Sequence, residues 1–516
     1  MARKSRSNMV REYADVVPKG QPRSTFNVSS NKKGTFNASF LIPIYWDFMY
    51  PGEVRKGIVR AFIRMSNPLQ WPLMDNLYIT VHWFDVPIRI LWDNFRKFYG
   101  ERIDPGDSIS YSLPEWGNTN INMVTGGVEA ERDLADALGI PLVTSFAKSD
   151  AHALPFRAVY AIYDYWYRDQ LIQDSLKPPT DDGPDEAVTY QLQQRGKRFD
   201  YFTACTPSPQ RGEAVTIGGE VATAANIGGD VGIYSDGASG YRQLEDGGTE
   251  IHVKNSSTNA ELNKMYPNTT IAELRNAVAI QQFLEKDNRC GTRFGEMIYG
   301  HFGAEFQDAR YAPVFLAGGR SPINAMPIIN SAANTTESAD LGDLGALGVG
   351  SFEGAAFTYA AHEPSILMCI ACVDADLTYH QGLNRKWSYR TRYDFMWPEF
   401  QGIGDQAVLN KEIYYQNTTD DENVFGYNPR YEECRIGLNT LFGEFRPDHA
   451  ATLDVQHVAQ DFVGLPSLNT TFIKSSVPMG RVLQSTTNKH FHGDFRCQVS
   501  STLPLSLSGI PGMARL

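Results

Sequence analysis

The sequence predicts a mainly β protein of many short strands, long loops and several short helices. Three observations carry that prediction. The 516 residues include 44 glycines and 28 prolines, a supply of turn formers suited to frequent chain reversal. Aromatic residues make up 12%, with 28 Phe and 25 Tyr, side chains that pack well on a pleated surface. Several stretches alternate apolar and polar residues at period two, Asp494–Leu503 among them.

Taken in order, residues 1–40 carry Arg3, Lys4, Arg6, Arg11, Lys19, Arg23, Lys32 and Lys33 among Ser, Asn and Gly. They read as an extended basic N-terminal arm, able to span on the order of 130 Å. Residues 41–516 form the body. Residues 36–50 read as a strand punctuated by Pro51-Gly52, and Val54–Met65 as another. Leu77–Val86 is β-branched and aromatic, a clear strand ended by Pro87, and Leu91–Phe98 has helical spacing. Residues 101–127 are loop-like. Glu129–Leu138 predicts a helix stopped by Gly139. A second helix is predicted over Phe156–Ser175 after Pro155, its Tyr160, Tyr163, Trp166, Tyr167 and Leu171 forming a core stripe.

Residues 176–190 form a Pro/Asp linker. Residues 213–269 are rich in Gly, Ala, Ser, Thr and Asn and nearly lose aromatics, which marks an inserted surface segment. Thr270-Ile-Ala-Glu273 is a capping box that opens a helix to about Asp287, its Ile271, Leu274, Val278, Phe283 and Leu284 facing broadly one way. Residues 292–301 predict another helix, and residues 330–355 a flexible loop. The apolar run Ile366–Val373 reads as a buried strand, residues 419–431 as a loop, and residues 433–440 as a strand.

The segment 375–415 stands apart. It packs Tyr379, Arg385, Lys386, Trp387, Tyr389, Arg390, Arg392, Tyr393, Phe395 and Trp397 into a short span. Aromatic faces and guanidinium forks bury area and hydrogen-bond together, so this mixture suits a protein–protein contact. Arg over a ring adds about 0.5–2 kcal/mol of cation–π attraction.

Three runs within it carry a resemblance: Leu377-Thr-Tyr-His-Gln-Gly-Leu-Asn-Arg385, Thr391-Arg-Tyr-Asp-Phe-Met-Trp-Pro398, and Gly404-Asp-Gln-Ala-Val-Leu-Asn-Lys-Glu-Ile413. They resemble the major capsid proteins of small single-stranded DNA phages, the Microviridae, in the gokushovirus-like branch. Further strings agree, including Pro22–Asn27, Met74–Tyr78, Ile162–Asp169, Arg195–Pro207, Gly318–Asn324, Leu453–Phe462 and Leu468–Ile473. The resemblance covers most of residues 20–516, leaving out 213–269 and patches of 101–155.

The resemblance implies a viral jelly-roll β-barrel of eight strands with long loop insertions. It also implies a T=1 icosahedral shell around circular single-stranded DNA. The implied partners are other copies of the chain, the packaged DNA, a small basic DNA-binding phage protein and a host cell-surface receptor. The implied place is the virion, assembled in the bacterial cytoplasm. In the resembled branch an insertion in this part of the chain forms an exterior protrusion near the threefold axes; here the segment looks compact and poor in aromatics. On this reading Trp387, Tyr389, Arg390, Arg392, Trp397 and Phe400 line subunit contacts. Arg3, Lys4, Arg6 and Arg11 contact DNA, and Asp230, Tyr234 and Tyr241 of the insertion face the host.

Composition excludes other classes. A net charge of −12 rules out a surface that is basic throughout, leaving room for a local basic patch. No apolar stretch follows Met1-Ala-Arg-Lys-Ser-Arg, so no secretory leader is predicted, and the six Cys are expected to stay reduced. No window of about 18 apolar residues occurs, so no membrane insertion is predicted. Cys369 and Cys372 sit at CxxC spacing inside a strand, where i and i+3 point to opposite faces, and read as core thiols. Asp374 and Asp376 share a strand face and could hold a cation, but Arg385 and Arg390 offer simpler ion-pair partners. His490 and His492 share a face without a third ligand close in sequence. Neither a GxSxG elbow nor a GxxxxGK[ST] loop is present. The sequence therefore predicts no catalytic residue, no metal, no cofactor and no enzyme. The alternative from another class is a β-rich carbohydrate-binding protein or glycosidase, suggested by aromatic richness and an acidic pI.

Overall fold

Alternation at period two becomes a large antiparallel sheet. The computed structural model describes residues 23–507 apart from 70, 126–128, 186–189, 214, 216–269, 306–310, 330–343 and 486. Its strands are β1 (Ser24–Asn27), β2 (Ser30–Phe36), β3 (Ile42–Met49), β4 (Val54–Met65), β5 (Leu77–Pro87), β6 (Asn120–Ile121) and β7 (Phe146–Ala147). They continue as β8 (Val314–Ile329), β9 (Leu344–Ala360), β10 (Ser365–Ala375), β11 (Asp405–Leu409), β12 (Val424–Pro429) and β13 (Phe491–Leu503). Nine share one sheet in the order β1-β13-β4-β9-β8-β5-β10-β3, with β2 also on β13, while β6/β7 and β11/β12 form small ladders.

Apart from β8 and β9, strands consecutive in the chain are not neighbours in this sheet. β3 lies at one end and β4 near the other, and β4 is separated from β5 by β9 and β8. Such crossings between antiparallel strands give jelly-roll connectivity. The fold is mainly β as the sequence predicts; among the described residues nine strands rather than eight share the sheet. The sheet also curls. Arg55 on β4 reaches β3, pairing with Asp47 at 2.9 Å and donating to the Phe48 carbonyl at 2.6 Å. Its Nε meets Glu53 at 2.5 Å, and Glu53 also accepts from Ser501 of β13. Only a curled sheet brings these distant strands onto one core.

Strand β10 is buried along its whole length because both faces are covered. Leu367, Cys369, Ala371 and Val373 join the core inside the curl, with Trp83, Val59, Ile63 and Phe495. Ile366, Met368, Ile370 and Cys372 face a second core under helices α2 (Glu129–Leu138) and α3 (Leu154–Ile162), which follow the single-turn α1 (Phe95–Phe98). The two thiols thus point to opposite faces, and burial pushes Cys372 up to about 12.

Several expectations need correction. The helix predicted over Leu91–Phe98 shrinks to α1, and that over Phe156–Ser175 ends at Ile162 and continues as a π-helical turn, Tyr163–Tyr167. Of the predicted arm, Ser24–Asn27 and Ser30–Phe36 are strands paired to β13, and residues 1–22 lie outside the described residues. Residues 433–440 form no strand, while residues 424–429, read as loop, do. Leu344–Ala360, read mostly as a flexible loop, lies between β4 and β8 in the sheet.

The chain divides into two units, Met1–Pro207 with Phe306–Leu516, and Ser208–Glu305. In the second, the predicted capping box opens α4 (Ile271–Arg289), and α5 (Phe294–Phe302) follows. The apolar side of α4 is exposed: Ile271, Leu274, Val278 and Phe283 meet solvent rather than a core. Asp230, Tyr234 and Tyr241 lie outside the described residues, as does nearly all of 213–269. No helix among the described residues is long and apolar enough to cross a membrane.

Candidate subunit interface

The loop from Leu377 to Tyr415 rests on a third apolar cluster, with Tyr379, Val408 and Ile413 packed against Tyr201, Phe202, Phe425 and Phe472. Its first turn is built locally: Asn384 accepts from the Lys386 amide at 3.0 Å and starts the short 3-10 turn Arg385–Ser388. Arg385 then reaches inward, donating to the Ala407 carbonyl at 2.7 Å and to Glu412 at 3.0 Å. Tyr201 donates to the other Glu412 oxygen at 2.8 Å. Burial raises the Glu412 carboxyl above its ordinary value, and Arg385 opposes that rise. Further out, Tyr389 donates to Glu433 at 2.9 Å, and Asp394 accepts from the amides of Thr391 and Arg390, which hold its carboxyl below the usual range.

On this base sits an exposed surface of rings and guanidinium groups. Trp387 is 74% exposed and Trp397 45%, and Tyr393, Phe395, Met396 and Ile403 are open beside them. Arg390 and Arg392 are exposed, whereas Tyr389 and Phe400 are half-buried. Trp397 donates through Nε1 to the Arg392 carbonyl at 2.7 Å, and Arg392 lies 4.7 Å from the Tyr393 ring. Phe400 packs on Tyr393 with ring centres 6.1 Å apart, and Tyr389 on Phe395 at 5.3 Å. All six residues predicted for a subunit contact therefore belong to one loop surface. Four that the prediction left out, Tyr393, Phe395, Met396 and Ile403, extend it, and their signal is the same aromatic and apolar density. Arg3, Lys4, Arg6 and Arg11 lie outside the described residues.

The strand-end carboxylates do not use the neighbouring cations. Asp374 pairs with Arg198 at 2.6 Å and Arg195 at 3.5 Å, and Asp376 with Arg320 at 3.0 Å. Arg385 is committed to Glu412, and Arg390 points to solvent. Sequence proximity misleads here because the sheet brings distant arginines closer than the loop does.

Gly382 sets how closely the loop approaches its base. A Cβ there would run into the backbone carbonyl of Glu412. Gly382→Ala must push the loop off Glu412 and disturb the Arg385 and Tyr201 contacts. A loss of about 2 kcal/mol in urea denaturation is expected, in the range for overpacking; an unchanged midpoint would show that the loop slides freely.

Over residues 15–513 the sequence matches a family model described as Capsid protein (F protein). It is similar to a Capsid protein VP1 of Bdellovibrio phage phiMH2K, 35% identical over 538 residues with 97% of each chain covered. It is similar to a Capsid protein VP1 of Chlamydia phage 1, 31% identical over 604 residues, covering 100% of this chain and 99% of the relative. Spiroplasma virus 4 has a third Capsid protein VP1, 28% identical over 543 residues and 96% of each chain.

Proposed function

The chain belongs to the Capsid protein (F protein) family, and we propose that it is the major shell subunit of a small icosahedral phage particle. Its work is assembly. The curled sheet supplies a rigid wall, and the 377–415 loop supplies self-complementary area. The observation that carries this reading is the loop surface: exposed Trp387, Trp397, Arg390 and Arg392, standing on a base fixed by Arg385–Glu412 and Tyr389–Glu433. Obligate interfaces commonly bury about 2,000–5,000 Å². Rings and guanidinium forks held in place before contact lose little entropy on burial.

The shell on this reading is a T=1 particle enclosing circular single-stranded DNA, formed in the bacterial cytoplasm. The segment that precedes β1, through Arg3, Lys4, Arg6 and Arg11, meets the DNA alongside a small basic phage protein. The inserted segment 213–269 faces the host receptor. The role is structural rather than catalytic, and nothing in the loop geometry favours the carbohydrate-binding alternative. Electron microscopy of the purified chain tests the reading. Uniform small icosahedral particles are expected, and a protein that stays monomeric at all concentrations contradicts it. Deleting residues 2–12 is expected to leave particles intact but lower their ultraviolet absorbance from DNA; unchanged DNA content would remove the arm from packaging.

A further inference from the structure

The outer face of β4 carries a charged pattern away from the 377–415 loop. Along this strand the inward side chains are Arg55, Val59, Ala61, Ile63 and Met65, and the outward ones run Lys56, Ile58, Arg60, Phe62, Arg64. Cation and apolar residue alternate, each about 6.8 Å from the next on that face. Phe62 is 52% exposed, with Asp494 of β13 opposite it on one side and Ser351 of β9 on the other. Strand β13 continues the pattern sideways. Arg496 stands directly opposite Arg60, and His492 opposite Arg64.

Like charges directly opposite on a sheet repel and destabilise it. The carboxylates nearby relieve only part of that repulsion: Glu353 takes Arg60 at 2.7 Å, and Asp494 takes Lys33 at 3.9 Å. Lys56, Arg64 and Arg496 meet no carboxylate among the described residues. In a chain of net charge −12 this is a concentrated positive face, and it calls for an anion. A protein partner would have to bring a matching row of carboxylates to Lys56, Arg60, Arg64 and Arg496, groups that protein contacts are depleted in. A single-stranded polynucleotide fits both features, since it repeats phosphates beside bases that stack on aromatic rings. Sheets that present aromatics among cations bind single strands in this way.

We propose that the outer face of β13 and β4 binds single-stranded DNA, with phosphates on Lys56, Arg60, Arg64 and Arg496 and a base stacked on Phe62. The assignment rests on the shell reading, because that reading supplies packaged single-stranded DNA as the polyanion. It is tested on the full chain by fluorescence anisotropy with a labelled oligodeoxythymidylate across a salt series, and by particle assembly. The triple variant Arg60→Gln, Arg64→Gln, Arg496→Gln is expected to form particles, bind at least about tenfold more weakly, and lose about 2 from the salt slope. Phe62→Ala is expected to weaken binding about fivefold or more with the slope unchanged, the mark of stacking rather than charge. Wild-type affinity and slope in both variants would overturn the proposal. So would variants that bind the oligonucleotide normally but no longer assemble, which would make the face a contact between copies. Wild-type chain that never assembles would sink the shell reading alone, since oligonucleotide binding still judges the face.

Discussion

Replacing Arg392 and Trp397 together by alanine gives a folded subunit that does not build particles. Both side chains stand at the exposed end of the 377–415 loop, so truncation leaves the three apolar cores untouched. Surface changes of this kind usually shift stability by within about 0.5 kcal/mol. Their effect falls on association instead. Trp and Arg are the residues whose loss costs a contact about 2 kcal/mol or more, and every 1.4 kcal/mol is tenfold in affinity. The two are linked through the Trp397 Nε1 to Arg392 carbonyl bond and the Arg392–Tyr393 stack, so their costs are not expected to add simply. Sedimentation velocity reads the outcome as subunits in place of shells, and denaturation by urea confirms the fold. Trp397→Phe keeps most of the apolar area and is expected to restore assembly. Normal particles from the double variant would move the contact elsewhere on the molecule.

The fold was legible where inward positions carry large apolar side chains. β4, β5 and β10 show it in Val59, Ile63, Trp83 and Leu367, whose period or unbroken run is visible in the chain. β9 was hidden because its inward positions include Gly348 and Gly350. The period of two is intact, but the glycines are there to admit side chains from neighbouring strands. A Cβ on Gly348 would meet Met65 Sδ at 2.6 Å, and one on Gly350 would meet Ile323 Cγ1 at 2.9 Å. Hydropathy sees small residues and reads a loop; the space is filled from across the sheet. The helix over 156–175 was overread for the opposite reason. Its aromatic spacing is helical, yet Trp166 turns outward at a π-helical turn, donating to the Pro313 carbonyl at 2.8 Å. At the interface loop, composition alone marked the surface. Its supports were not legible, because Tyr389–Glu433 and Arg385–Glu412 join residues 44 and 27 apart. The partner of Asp374 is more distant still, Arg198, 176 residues away.

The second large effect is expected at Arg157, which is fully buried in the helical layer. Its Nε and Nη2 bind Asp185 at 2.9 and 2.5 Å, and Nη1 donates to the carbonyls of Leu91 at 3.0 Å and Asp181 at 2.9 Å. Tyr190 adds a hydroxyl to Asp185 at 2.6 Å. One guanidinium thus ties α3 to the turn that follows β5 and to the segment 181–185, where Asp182 in turn accepts from Trp92 at 2.7 Å. Arg157→Met removes the cation and leaves Asp185 buried with an unbalanced charge. The cost is expected near 3–5 kcal/mol, because an unpaired buried ion loses its hydration without a counter-charge. Arg157→Lys is expected to rescue little, since a single ammonium cannot reproduce a fork that serves a carboxylate and two carbonyls together. The pair Arg157→Met, Asp185→Leu removes both charges at once and is expected to regain most of the loss, because the penalty comes from the orphaned partner rather than from the missing bond. Urea midpoints of the three variants decide it. If the single Arg157→Met variant unfolds at the wild-type midpoint, the layer does not depend on this pair. If the double variant is no better than the single, the guanidinium's bonds to the Leu91 and Asp181 carbonyls, rather than charge balance, hold the layer together.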